Sequence, residues 1–238
     1  MIRLVAISVI LFAVTLGCAK KGSMITIVDI GNNDRLELGK QLRVINKYSP
    51  KLIALDFFLV PDSLGHDTIL VKEINNARMI IQGVGLHWSN SRWYGSGWDS
   101  LDISNPKFNA TEFGFLNLAG EDSVLVKELP MMQPFGTIPI YSFSYMIARN
   151  SYGVNKQFIA KNYEPIKLEL KGLGRNYRLI SRKDLVKGNF RLKDFKNKIV
   201  IMGYIGGKED YLYLNKEKKQ KVNGVEVHAA IVEEIMDF

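Results

Sequence analysis

Apolar positions along the chain fall into short continuous runs separated by segments of helical spacing. Ile25-Thr26-Ile27-Val28-Asp29-Ile30 is a β-branched run that ends at Gly31-Asn32-Asn33-Asp34, which is turn and helix N-cap chemistry. Leu38, Leu42 and Ile45 then recur at helical spacing, and Ser49-Pro50 stops the helix. A second apolar run covers Leu52-Ile53-Ala54-Leu55-Asp56-Phe57-Phe58. Strands that are apolar on both faces and separated by a helix predict a parallel βαβ unit. Ile69, Leu70 and Ile74 mark a further helix, and Met79-Ile80-Ile81-Gln82-Gly83-Val84 a third strand.

The middle of the chain is less regular. Trp88, Trp93, Tyr94 and Trp98 fall among Ser, Gly and Asn, a loop composition in which the aromatic rings either cover a ligand or seal the core. Phe113 to Leu118 and Val124 to Val126 read as strands of a hairpin or a β insertion, Ser142 to Ala148 as a helix, and Pro165 to Leu170 as an alternating strand. The expected architecture is α/β: a mostly parallel central sheet with helices on both faces and a β/loop insertion in the middle. No internal repeat and no linker divides the chain beyond residue 22.

Arg3 precedes a 13-residue apolar run from Leu4 to Leu16, followed by Gly17, Cys18, Lys20 and Lys21. A membrane-spanning helix takes about 20 residues, so the run has signal-peptide length. Leu16-Gly17-Cys18 resembles a bacterial lipobox, with Cys18 as the lipidation site, although Thr15 and Leu16 depart from the usual pattern. Residues 1–21 are therefore expected to be a lipoprotein-type signal or an uncleaved membrane anchor, and residues 22–238 an extracytoplasmic domain on a membrane. Cys18 is the single cysteine, which excludes an intramolecular disulfide.

The chain carries a formal net charge of +8. Its cations are scattered, and the cluster Lys216 to Lys221 has no aromatic residue for stacking bases, so nucleic acid is not an expected partner.

Near the C-terminus, Lys198-Ile199-Val200-Ile201-Met202-Gly203 reads as a strand entering a glycine turn. Asp210 follows a short loop, and Gly224-Val225-Glu226-Val227-His228-Ala229 opens a helix. These segments resemble the CHASE2 family, extracytoplasmic sensor domains of bacterial signalling receptors. Ile27 to Ile30, Lys51 to Asp56, and Phe113-Gly114-Phe115-Leu116-Asn117 resemble that family's first strand, second strand and middle motif. Ile180-Ser181, Asp184-Leu185 and Gly188 resemble the segment before its last strand. The landmarks stand in the family's order over residues 24–236. The stretch after Asp210 lacks the family's proline-containing segment, and the usual transmembrane helices and output domain do not follow Phe238. The resemblance implies a sensory role, with output through a partner or through a missing C-terminal part.

Asp29 and Asp56 end strands that the pattern makes adjacent and parallel, where an open α/β sheet places its ligand crevice. Two carboxylates there suit a cation or a basic ligand, or an acid/base pair, or simply cap the following turns. With Asn117, Asp210 and His228 they form the candidate ligand-binding set, open either to an unknown small ligand or to a neighbouring membrane protein. His228 follows Glu226, and a Glu/His/Asp set suits metal binding or proton transfer, whereas a hydrogen-bonded structural histidine is the plainer alternative. The Gly203 to Gly207 loop lacks P-loop spacing and its Lys-Ser/Thr ending. Without a nucleophile elbow or a His-Glu-x-x-His helix, no catalytic residue or metal ligand is expected, and the sequence leaves any cofactor unknown. The rival reading is a lipid-anchored hydrolase using Asp29, Asp56 and His228.

Overall fold

The computed structural model describes residues 23–32, 34–59, 67–89, 97–102, 108, 112–118, 125, 127–160, 164–173, 177–206, 211–215 and 220–236. Strand β1 (Ile25–Asp29) leads into helix α1 (Arg35–Asn46). Asp34 caps this helix by accepting from the Glu37 amide at 2.8 Å, satisfying one of the orphan donors of the first turn. Strand β2 (Leu52–Asp56), helix α2 (Asp67–Asn76) and strand β3 (Ile80–Ser89) repeat the pattern. The far half of β3 outruns its parallel neighbours and pairs antiparallel with β4 (Gly97–Asp102). Next, β5 (Glu112–Phe115) lies parallel to the near half of β3. The segment at Phe113, read from its pattern as part of a hairpin or insertion, is thus an edge strand of the central sheet. Short strands do not reveal from sequence which neighbour they find.

The insertion lies between β5 and the next helix. It holds β6 (Glu128–Pro130) and a hairpin of β7 (Met132–Phe135) and β8 (Ile138–Tyr141). Ser142 then caps α3 (Phe143–Ser151), accepting from the Tyr145 amide at 3.3 Å. After it, β9 (Pro165–Lys167) returns to pair antiparallel with β6.

The last units complete the sheet. Strand β10 (Arg178–Ile180) is followed by α4 (Arg182–Lys187), with Ser181 as N-cap and Gly188 in the left-handed conformation closing its end. Strand β11 (Ile199–Gly203), the hairpin β12 (Tyr211–Asn215) and β13 (Gln220–Asn223), and α5 (Gly224–Met236) end the domain. Glu226 reaches back to accept from the Asn223 amide, so its carboxylate is spent on the start of α5.

Six parallel strands stand in the order β10-β1-β11-β2-β3-β5. Each central strand feeds two cores, which is why its sequence is apolar at successive positions. Ile25, Ile27, Ile199, Ile201, Leu52 and Ala54 face α3 and α5. Val28, Val200, Met202, Ile53 and Leu55 face α1, α2 and α4. Helices thus cover both faces of a mostly parallel sheet, as the pattern predicts.

Candidate functional site

The carboxyl ends of the central strands bring two of the expected residues into one row. Register places Asp29 of β1 and Asp56 of β2 level with Gly203 of β11, one on each side. The two aspartates are therefore not on adjacent strands, as their order in the chain suggests. The last strand of the sheet inserts between the first two, and this is a topological switch point, where open α/β sheets form crevices. Two strand spacings separate the aspartate backbones by about 10 Å.

Each carboxylate has a different local task. Asp29 Oδ1 accepts from the Gly31 amide at 3.0 Å and closes the turn between β1 and α1. Asp56 leans across β11. A Cβ on Gly203 would meet its Oδ2 at 3.1 Å and the Val225 Cβ at 3.1 Å, so any larger residue would press on this carboxylate and on α5. Asp56 Oδ1 stands 3.7 Å from His228 Nε2, beyond hydrogen-bond range.

His228 is 2% exposed. Its Nδ1 is 2.8 Å from Ser144 Oγ, and its ring meets Phe143 edge-on with centroids 5.0 Å apart. Burial lowers its pKa to about 3, so the imidazole is neutral near pH 7 and the Asp56 contact is not an ion pair. Gly114 sets this arrangement from below, since a side chain there would lie 2.7 Å from the Phe143 Cα, and its absence lets the start of α3 sit directly on β5. Ser144 is the residue that the sequence does not announce. It belongs to no motif and its partner lies 84 positions on.

Asn117 is committed to the scaffold. Its Oδ1 accepts from the Leu86 amide and its Nδ2 donates to the Leu86 carbonyl, both at 3.0 Å. This pair of hydrogen bonds to the backbone of one residue extends the edge of β5 onto β3. Asn117, Ser144 and His228 line one cavity of ≈ 10 Å³ with Phe115, Met131 and Ile231, about the room a single water takes. The structure thus splits the expected set into an acidic row at the carboxyl ends of the strands and a small cavity that holds Asn117 and His228. Asp210, like Cys18 and the loop aromatics Trp93 and Tyr94, lies outside the described residues.

Among the described residues, no group of three His, Cys, Asp or Glu side chains converges as a metal site would. Nor, among them, is any helix long and apolar enough to cross a membrane.

Searches of curated proteins and of solved structures return no match. The family model of the CHASE2 domain matches residues 21–238, nearly the whole chain. A match over nearly the whole chain leads to one statement: the chain belongs to the CHASE2 family, extracellular sensory domains of signalling receptors.

Proposed function

We propose that this domain senses a small cationic or amine ligand in the crevice over β1, β11 and β2, while tethered outside the cytoplasm through its N-terminal segment. The observation that carries the reading is the row Asp29, Gly203, Asp56, in which two carboxylates flank a residue without a side chain. Their like charges repel weakly across solvent. A bound cation relieves that repulsion and couples both strands to one ligand. The signal passes to a partner, either a neighbouring membrane protein or an output domain.

The hydrolase reading has one favourable feature, the line Ser144, His228, Asp56. Against it stand the burial of Ser144 and His228 to 1% and 2% exposure and a cavity with room for one water. A nucleophile must meet its substrate within near-contact distance, and this hydroxyl lies inside the core.

Thermal unfolding of the full chain against a panel of cations, amines and small metabolites tests the sensory reading. A ligand at about 100 times its Kd adds about 2.7 kcal/mol to the stability of the state it binds, a rise of roughly 5–10 °C for a domain of this size. The rise is expected in the wild type and lost in both Asp29→Asn and Asp56→Asn, which keep shape and most capping ability. No shift across the panel would move the assignment to a protein-binding surface.

A further inference from the structure

Cations gather where the parallel strands begin. Lys51 precedes β2, Arg78 precedes β3, Arg178 opens β10, and Lys196 and Lys198 precede β11. Beside them the segment 191–198 forms an open groove lined by Met24, Arg191, Leu192, Lys193, Lys196 and Lys198. The carboxylates nearby are engaged within the domain. Buried Asp194 meets Arg178 Nε at 3.2 Å and Arg191 Nη2 at 3.7 Å, and Glu233 accepts from Ser23 Oγ at 2.8 Å. Lys193 and Lys196 are exposed and form no ion pair among the described residues. Between Arg191 and Lys193, Leu192 is 54% exposed. An apolar side chain set among cations is the pattern of a surface that meets an anionic bilayer.

Met24 fixes where this groove lies relative to the rest of the chain. It stands six positions after Cys18, a reach of at most about 20 Å. The cations Lys20 and Lys21 fall in that stretch. A domain held through residues 1–21 therefore brings this end to the bilayer first.

We propose that the groove is a docking surface for anionic phospholipid headgroups. Lys193 and Lys196 bind the phosphates, Leu192 enters the headgroup layer, and the domain stands on its strand-start end with the acidic row facing away from the membrane. The lining has no aromatic ring on which bases would stack, which sets a lipid surface above a nucleic acid. The orientation rests on the membrane-tethered reading, whereas the lipid contact stands on the groove itself.

The test uses the full chain with Cys18→Ser and Leu192→Cys, its one thiol labelled with an environment-sensitive fluorophore. The apolar run Leu4 to Leu16 is retained. Vesicles are made of phosphatidylcholine alone or of phosphatidylcholine with phosphatidylglycerol, both doped with a nitroxide lipid. A label at Asn32→Cys, exposed at the crevice end, is the comparison. Quenching at position 192 is expected only with phosphatidylglycerol, weaker in high salt, and absent at position 32. Lys193→Gln and Lys196→Gln should each lower this lipid-dependent contact about fivefold. Flotation of the same vesicles separates the two readings. A chain that floats with both vesicle types but shows no phosphatidylglycerol-dependent quenching at 192 overturns the docking surface and leaves the tether. A chain that floats only with phosphatidylglycerol and is quenched at 192 keeps the surface and excludes the apolar run itself as the tether. Flotation with neither overturns the docking surface and excludes the apolar run as the tether, leaving acylation at Cys18, which the native chain tests by fractionation.

Discussion

Burial holds the His228 imidazole neutral down to about pH 3, whereas an unfolded histidine titrates near 6.5. Between those values the unfolded chain binds the proton and the folded chain does not, so stability rises with pH across that window. By this linkage the fold is about 2 kcal/mol less stable at pH 5 than at pH 8 on account of His228 alone. Urea melts at the two pH values check it, and His228→Gln, which keeps a partner for Ser144, should remove most of the difference. The choice of pH 5 matters. Glu73, although burial opposes it, is held below the usual carboxylate range by the Arg43 guanidinium and the Asn46 amide, and Asp194 by the Arg191 amide and Arg178. Their contribution is lost only in more acid solution. An equal pH dependence in the variant would mean that the imidazole is protonated in the fold.

At the scale of elements, β11 is the test of the architecture. Ile201 is fully buried, paired to Ile27 on one side and Ala54 on the other. Ile201→Ala should cost about 2–5 kcal/mol, and a near-neutral urea midpoint would contradict a central position. The three innermost strands were legible in the sequence because both of their faces are apolar, which leaves little else for those runs to be. The helix starts at Asp34, Ser142 and Ser181 were legible through their capping side chains. The hairpins β7–β8 and β12–β13 were not, because their strands are short and their residues half-exposed, without strict alternation. For the same reason Phe113 looked like part of an insertion. Asp29 and Asp56 were found from their place at strand ends, but that they flank a third strand depends on a pairing more than 140 positions away in sequence. The contact of Ser144 with His228 has no local signature at all.

For the molecule as a whole, the proposed tether predicts that Cys18→Ser abolishes acyl modification, read by mass and by membrane fractionation. A variant that stays unprocessed and equally tightly bound would make the apolar run itself the anchor. The same chain order that builds the crevice also bears on how the protein is made. Because β11 sits between β1 and β2, the first two strands have no direct partner in each other, and the sheet stays split until about residue 203 has emerged. Pairings this distant are slow to find and leave apolar edges uncovered in the meantime. An incomplete chain is therefore a substrate for proteases and for self-association rather than a smaller version of the domain. A nascent polypeptide that must cross a membrane before folding gains from that delay, since nothing short of nearly the full length can lock into a shape too wide to pass.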